Sequence, residues 1–200
     1  MELVDAPSLG RRERNKLDKL ERITSAAREL FSERGVDDVT TQQIADRADI
    51  GTGTLFLYAK TKAELLLLVQ NSAYADALVR GTSAAEKVKD PLDAVIAILR
   101  PVVECNRAQV ENGRMYLREI VFGDPDEPHH RQALNYTFET EAAIAAILQR
   151  GGQLTSTDST LLARVISSVM LTALAVTINK SISVTEMIAL IRDQVGVILR

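Results

Sequence analysis

Residues 49–65 read DIGTGTLFLYAKTKAEL, with Gly51 and Gly53 two positions apart and Leu55, Phe56, Leu57 and Tyr58 in unbroken succession. A buried helix does not place two glycines so close together, because each costs roughly 1 kcal/mol against alanine in a helix interior. The backbone here must be approached from outside. Just upstream, TTQQIADRA predicts a short helix from Gln42 to Ala48, capped by Thr40 or Thr41. A turn over Asp49, Ile50 and Gly51 follows, and then a second short helix from Thr52 to about Ala59. Helix, tight turn, helix is the arrangement by which a protein presents one short helix to the major groove of DNA while the other braces it.

The chemistry of that unit can be assigned residue by residue. Ile44, Ala48, Ile50 and Leu55 form its predicted core, and the small Ala45 lets the helices cross closely. Asp49 falls where the turn needs a left-handed residue, a conformation Asp tolerates. Gly51 is an acceptable helix cap. Gly53, with the hydroxyls of Thr52 and Thr54, lets phosphate and base edges reach a helix N-terminus. Phe56 and Leu57 match thymine methyls, while the Tyr58 hydroxyl and Lys62 ammonium match phosphate oxygens. Thr40, Thr41 and Gln42, at the start of the bracing helix, complete the candidate DNA-binding set.

Charge is distributed accordingly. The 200 residues carry a net charge of −3, yet Arg11 to Arg22 holds six basic residues against three acidic ones. From Ala63 onward the balance is acidic. A basic end on an acidic body fits a local polyanion contact; an ordinary solvated helix face has the same composition. The single cysteine, Cys105, excludes an internal disulfide framework. The opening MELVDAPSLG lacks the positive cluster and apolar segment of a secretory signal, and the apolar stretches read as too short or interrupted to span a bilayer. Cytoplasm is the expected location and no membrane partner is expected.

Nearly all periodicity along the chain is helical, so the predicted fold class is all-α. A first helix is expected from about Arg11 to Arg34, burying Leu20, Ile23, Ala27, Leu30 and Phe31 and stopping at Gly35. A long helix begins near Lys62 behind a Thr61 cap. Further helices are predicted from Pro91 through Asn112 with a bend near Pro101, from Arg114 to Phe122, from Pro128 or His129 to Gln149, from Ser159 to about Asn179, and from Val184 to Arg200. The expected domains are residues 1–60, a helix-turn-helix domain with a basic N-terminal helix, and residues 61–200, a helical domain.

The segment TTQQIADRADIGTGTLFLYAKTKAELL resembles the DNA-binding signature of the TetR family of bacterial transcriptional regulators. Thr40 or Thr41, Ile44, Ala45, Ala48, Gly53, Thr54, Leu55, Tyr58 and Lys62 carry the match, which covers about Ile23 to Leu68. Asp49 stands where that family usually has glycine, Gly51 where it often has serine, Phe56 for the usual tyrosine and Ala59 for the usual phenylalanine. The resemblance implies a ligand-responsive repressor that binds a palindromic double-stranded DNA operator as a dimer. It also implies that the helical domain takes a small-molecule effector and that the last two helices form the homodimer.

The later sequence agrees with such a domain. LLARVISSVMLTALAVTI is apolar almost all round and MIALIRDQVGVIL carries a wide apolar stripe; a monomeric core would need the same faces buried. Candidate effector-binding residues by helical position are Tyr74, Cys105, Met115, Tyr116, Glu119, Phe122, Tyr136, Phe138 and Met170, each equally at home in a plain core. With no tryptophan, an aromatic cage for a flat cation is disfavoured, and an aliphatic or mixed hydrophobic effector is expected. The rival reading is a helical small-molecule-binding protein or enzyme without DNA binding. Its best residues, His129 and His130, are adjacent and point about 100° apart, so they are no metal pair. GDPDEPHH lacks the ligand spacing of a calcium loop. No catalytic residue, metal ligand or cofactor is called for.

Overall fold

The computed structural model describes residues 10–200; the reading of residues 1–9 as lacking a secretory signal lies outside them. Among the described residues there are nine α-helices and no strand: α1 Arg11–Arg34, α2 Thr41–Arg47, α3 Thr52–Leu55, α4 Lys62–Ala85, α5 Pro91–Arg107, α6 Val110–Phe122, α7 Pro128–Gln149, α8 Ser156–Ala175 and α9 Val184–Ile198. They divide into two units, one ending at Leu65 and the other beginning at Leu66.

In the first unit, α1 buries Ile23, Ala26, Ala27, Leu30 and Phe31, the spacing of one helical face. Leu20, expected in this core, is only half-buried, and every residue from Arg11 to Lys19 is exposed. The helix stops at Gly35, whose φ of 79° is glycine's territory and whose N–H donates to the Phe31 carbonyl. Thr40 caps α2 in a reciprocal box: its hydroxyl accepts from the Gln43 N–H at 3.2 Å, and Gln43 Oε1 accepts from the Thr40 N–H at 2.9 Å. The helix then ends in a Schellman motif. Asp49 is left-handed at φ 53°, the Ile50 N–H donates to the Ala45 carbonyl, and the Asp49 N–H donates to the Asp46 carbonyl. Ile44, Ala45, Ala48 and Leu55 are buried together while Ile50 is half-buried.

The sequence predicts α3 to reach Ala59; it ends at Leu55 because the backbone tightens, with Leu57 and Tyr58 donating to the carbonyls three residues back. The tightening tucks Ala59 inside. Thr61 then caps α4 by accepting from the Glu64 N–H.

The second unit is organised around α5, which packs on α6, α7, α8 and α9. Its faces are accordingly apolar, with Ala94, Val95, Ile96, Ile98, Leu99, Val102 and Val103 buried. Asp90 caps it, Pro91 occupies the first turn, and the helix continues through Pro101. Backbones meet at two glycines. A Cβ on Gly81 of α4 would lie 2.4 Å from the Ile98 carbonyl oxygen, and one on Gly113 of α6 only 1.9 Å from that of Asn106.

Three expectations are corrected here. The helix beginning at Pro91 ends at Arg107, short of Asn112, and α6 begins at Val110, because the Gln109 side chain accepts from the Asn112 N–H and starts a new helix. The helix expected from Ser159 begins at Ser156 behind a Thr155 cap. It ends at Ala175, where Val176 turns extended and a 3₁₀ turn over Thr177–Asn179 follows. That same α8 is long and apolar enough, by length and composition, to cross a membrane, whereas the sequence reading found no such stretch. Here Ala163, Ile166, Met170 and Leu174 are buried in a helix packed against α7 and α9.

Candidate nucleic-acid interface

The end of α2, the Asp49 turn and α3 set one side of the first unit outward. Leu55 and Ala59 are buried and anchor α3 from below. Above them Gly51 and Gly53 are exposed, and a Cβ built on either meets nothing within 4 Å. Leu57 is 84% exposed and Phe56 43%, a costly placement for two large apolar side chains with no partner. Thr52, Thr54 and Tyr58 are half-buried beside them. The surface thus combines open backbone, hydroxyls and apolar tips on a short helix, the combination that base edges and thymine methyls accept.

Several candidates bond to one another. The Thr52 hydroxyl donates to Gln42 Oε1 at 2.7 Å, and Gln42 Nε2 donates to Asp46 Oδ1 at 2.7 Å. This row ties α2 to α3 across the exposed face. Thr41 is half-buried in the first turn of α2, and Thr40 is committed to capping it. The Tyr58 hydroxyl donates to the Lys16 carbonyl at 3.4 Å. Lys62, assigned to phosphate by the sequence reading, donates from Nζ to the Val36 and Asp37 carbonyls at 2.9 and 3.1 Å. Two of its three N–H bonds brace the loop between α1 and α2.

Charged pairs that the sequence reading passed over hold the bracing helix to α1. Arg47 meets Glu29 at 3.0 Å and Arg22 meets Asp49 at 3.6 Å. All four side chains are well exposed, so each pair orients the turn more than it stabilises it.

The effector candidates lie in the second unit, and only some of them come together. The Tyr74 ring stacks with Tyr136 at 6.1 Å and tilts against Tyr116 at 6.4 Å. The Tyr74 hydroxyl hydrogen-bonds Thr140 Oγ1 at 3.0 Å, and the Tyr116 hydroxyl donates to Asn71 Oδ1 at 2.9 Å. Burial pushes the Tyr74 phenol up to about 12 against the help of Thr140, and burial raises Tyr116 well above the ordinary phenol range. Both therefore stay neutral donors across physiological pH. Cys105, half-buried, is near enough to influence both. Met115 and Glu119 are half-buried on α6 and Met170 is buried on α8.

Phe122 and Phe138, by contrast, are 81% and 53% exposed. Phe138 lies two residues from both Tyr136 and Thr140, about 200° around the helix from each. Asn71 and Thr140, which satisfy the two buried phenols, escaped the sequence reading. Asn71 precedes Tyr74 by three positions, a same-face spacing that was available as a signal. His129 accepts from Asn71 through its carbonyl, and His130 Nε2 lies 3.2 Å from the Ile120 carbonyl. Among the described residues no three His, Cys, Asp or Glu side chains gather as a metal site.

Known proteins share this organisation. The family described as bacterial regulatory proteins, tetR family, matches residues 23–69, which include α2 and α3. A TetR transcriptional regulator from Rhodococcus sp. RHA1 superposes with a TM-score of 0.71 at 17% identity, over 92% of this chain and 97% of that one. Thermus thermophilus FadR, a TetR family transcriptional repressor solved in complex with lauroyl-CoA, superposes with a TM-score of 0.70 at 20% identity, over 90% and 92%. The fatty acid degradation regulator FadR from Bacillus halodurans gives 0.64 at 14%, over 88% and 94%. At such identities these likenesses establish the fold. Among curated proteins none matches the sequence.

Proposed function

We propose that the chain is a DNA-binding transcriptional regulator of the TetR family, whose model matches residues 23–69, and that it binds a two-fold operator as a homodimer and represses until a small hydrophobic effector releases it. The observation that carries the DNA reading is α3 itself, a single turn anchored by Leu55 and Ala59 that leaves Gly51, Gly53 and Leu57 to solvent. Gly51, Thr52, Gly53, Thr54, Phe56 and Leu57 read and approach the groove, supported by Gln42, and Thr40, Thr41, Tyr58 and Lys62 set the backbone register. Members of this family regulate transcription and are not enzymes, and the site is one for recognition; its work is done in the cytoplasm, on chromosomal DNA.

Dimerisation is assigned to α8 and α9. Leu161, Val165, Ser168 and Thr172 repeat at helical spacing along one side of α8 and border a groove with Gln194 of α9, and Leu161 and Val165 are among the exposed large apolar residues. An apolar stripe of this kind is stabilised by a second copy of itself. Ala173, by comparison, is buried within the protomer and takes no part. The effector is assigned to the interior that contains Tyr74, Tyr116 and Tyr136, where the buried Tyr74 and Tyr116 phenols supply neutral hydrogen-bonding groups among apolar walls. The lauroyl-CoA bound by the Thermus FadR makes a long-chain acyl group the first probe to try.

A gel shift with the DNA upstream of the protein's own gene tests the reading, with sedimentation in parallel. Specific retardation that requires both halves of an inverted repeat is expected, from a species sedimenting as a dimer. Val165→Arg should give monomer and abolish the shift while helicity is retained. Linkage also requires that an effector which weakens DNA binding bind less tightly to the DNA-bound protein. Equal retardation of every duplex regardless of symmetry would reject the operator reading.

A further inference from the structure

His130, in the first turn of α7, is 4% exposed and is held on three sides. Its backbone N–H donates to Glu127 Oε2 at 2.6 Å, which starts the helix. Its Nε2 lies 3.2 Å from the Ile120 carbonyl oxygen of α6. The ring fits against Gly123 because that residue has no side chain: a Cβ there would stand 2.7 Å from His130 Cδ2. A carbonyl only accepts, so Nε2 carries the hydrogen, and in the neutral ring Nδ1 is then an acceptor. Nδ1 is buried and has no hydrogen-bond partner among the described residues. Buried polar atoms in folded proteins are paired as a rule. A lone pair presented from so fixed a ring therefore asks for a donor from outside the chain.

We propose that His130 Nδ1 is the polar anchor of the effector site, and that the effector is an uncharged molecule carrying a hydroxyl group on an apolar body. The inference rests on the assignment of the effector to the interior around the tyrosines, and narrows it. Two connections join His130 to that interior. Asn71 accepts from the Tyr116 hydroxyl at 2.9 Å and donates to the His129 carbonyl at 2.8 Å, while Ile120, which holds the ring, lies one turn beyond Tyr116 on α6. Along α7, His130, Ala133, Thr137 and Thr140 recur at i, i+3, i+7 and i+10 on one face, and Thr140 meets the Tyr74 hydroxyl. Because Cδ2 is the atom against Gly123, Nδ1 sits across the ring, away from the end of α6. Arg114 Nη1 is also buried without a partner, but Arg114 is about 200° around α6 from Tyr116 and turns to Thr177. Charge sets the ligand class. Among the described residues no Lys, Arg, Asp or Glu is buried, and Glu141, whose charge reaches Tyr74, is already paired with Arg164 at 3.6 Å. A charged head group of either sign would be buried without a counter-charge. A hydroxyl donates to Nδ1 and needs none.

Calorimetric titration of the full chain with decanol and with decyl methyl ether tests this, because the ether keeps the chain and the oxygen but lacks the donor. The wild-type protein should bind decanol about tenfold more tightly than the ether, the effect of one buried hydrogen bond. Decanoate should bind more weakly than decanol. His130→Phe should bind alcohol and ether alike, with circular dichroism to confirm retained helicity. Nitrogen NMR of the wild-type protein with labelled histidine needs no variant: decanol should shift the unprotonated nitrogen of one of the two histidines, and the ether should leave it in place. A preference for the alcohol that survives His130→Phe, tighter binding of decanoate, or an unmoved nitrogen signal would each overturn the proposal. Equal binding of alcohol and ether by the wild-type protein would remove the anchor and leave the effector assignment standing. Failure of all three compounds to bind would remove that assignment itself, and the anchor with it.

Discussion

Glycine appears inside helices in both units, under opposite constraints. In α6 a single added carbon at Gly113 would collide with the Asn106 carbonyl at 1.9 Å, and in α4 one at Gly81 would meet the Ile98 carbonyl at 2.4 Å. In α3 the same carbon at Gly53 meets nothing within 4 Å. Packing dictates Gly81 and Gly113 in the second unit, whereas packing is indifferent to Gly53 in α3. A residue that costs helix stability with no internal return is explained by something outside the chain.

The contrast can be broken most forcefully at Gly113. Its substitution by Ala should destabilise the second unit by about 3 kcal/mol, since the neighbour is backbone and no rotamer can yield; urea denaturation reads this directly. A wild-type midpoint would mean that the close crossing is slack. Next in size is the buried phenol pair. Folding holds the Tyr74 ionisation at about 12 rather than its ordinary 10, so the folded state keeps its proton longer than the unfolded one. Stability is therefore complete below pH 10 and drains away as pH rises toward 12, by about 2–3 kcal/mol for this group. Tyr74→Phe with Tyr116→Phe should remove the late-ionising component from the phenolate absorbance titration.

Lys62 lies between the two classes, because it braces the loop at Val36 and Asp37 and is proposed to meet phosphate as well. Lys62→Ala should cost about 1–2 kcal/mol of stability and should lower the salt slope of DNA binding by about one unit. A stability loss with an unaltered slope would make it a brace alone. The smallest thermodynamic effect belongs to Gly53→Ala, which should raise stability by up to about 1 kcal/mol through helix propensity. It should nevertheless weaken operator affinity roughly tenfold, about 1.4 kcal/mol. A variant both more stable and equally good at binding would dissolve the comparison.

The same difference explains what the sequence made legible. The first unit could be read closely because its determinants are local: a Thr40 box closed by Gln43, a left-handed Asp49, and glycines at the end of α1 (Gly35) and the start of α3 (Gly51). The second unit hides its determinants in distance. Thr140 satisfies Tyr74 from 66 positions away and Asn71 satisfies Tyr116 from 45, so no window of sequence shows either pair. The break between α5 and α6 has no proline or glycine to announce it, and depends on Gln109, an uncommon capping residue. Helical position alone put Phe122 and Phe138 among effector candidates; the exposed faces of α6 and α7 could be told from the buried ones only once their neighbours were placed. The short reach of α3 was likewise unreadable, since TGTLFLYA has no stop signal before Ala59.

The bonded row Thr52, Gln42 and Asp46 bears on how such a protein diversifies. Thr52 and Gln42 hold each other's rotamers, so on the proposed DNA reading neither is an independent letter in the recognition code. Altering Thr52 alone leaves the Gln42 amide oxygen to find another donor, and altering Gln42 alone strands a hydroxyl. Substitutions at these two positions should be non-additive, and a lineage moving to a new operator would pass through poorly discriminating intermediates unless both changed together. Asp46, bonded to the far end of the row, sets the starting point for every such path without touching a base.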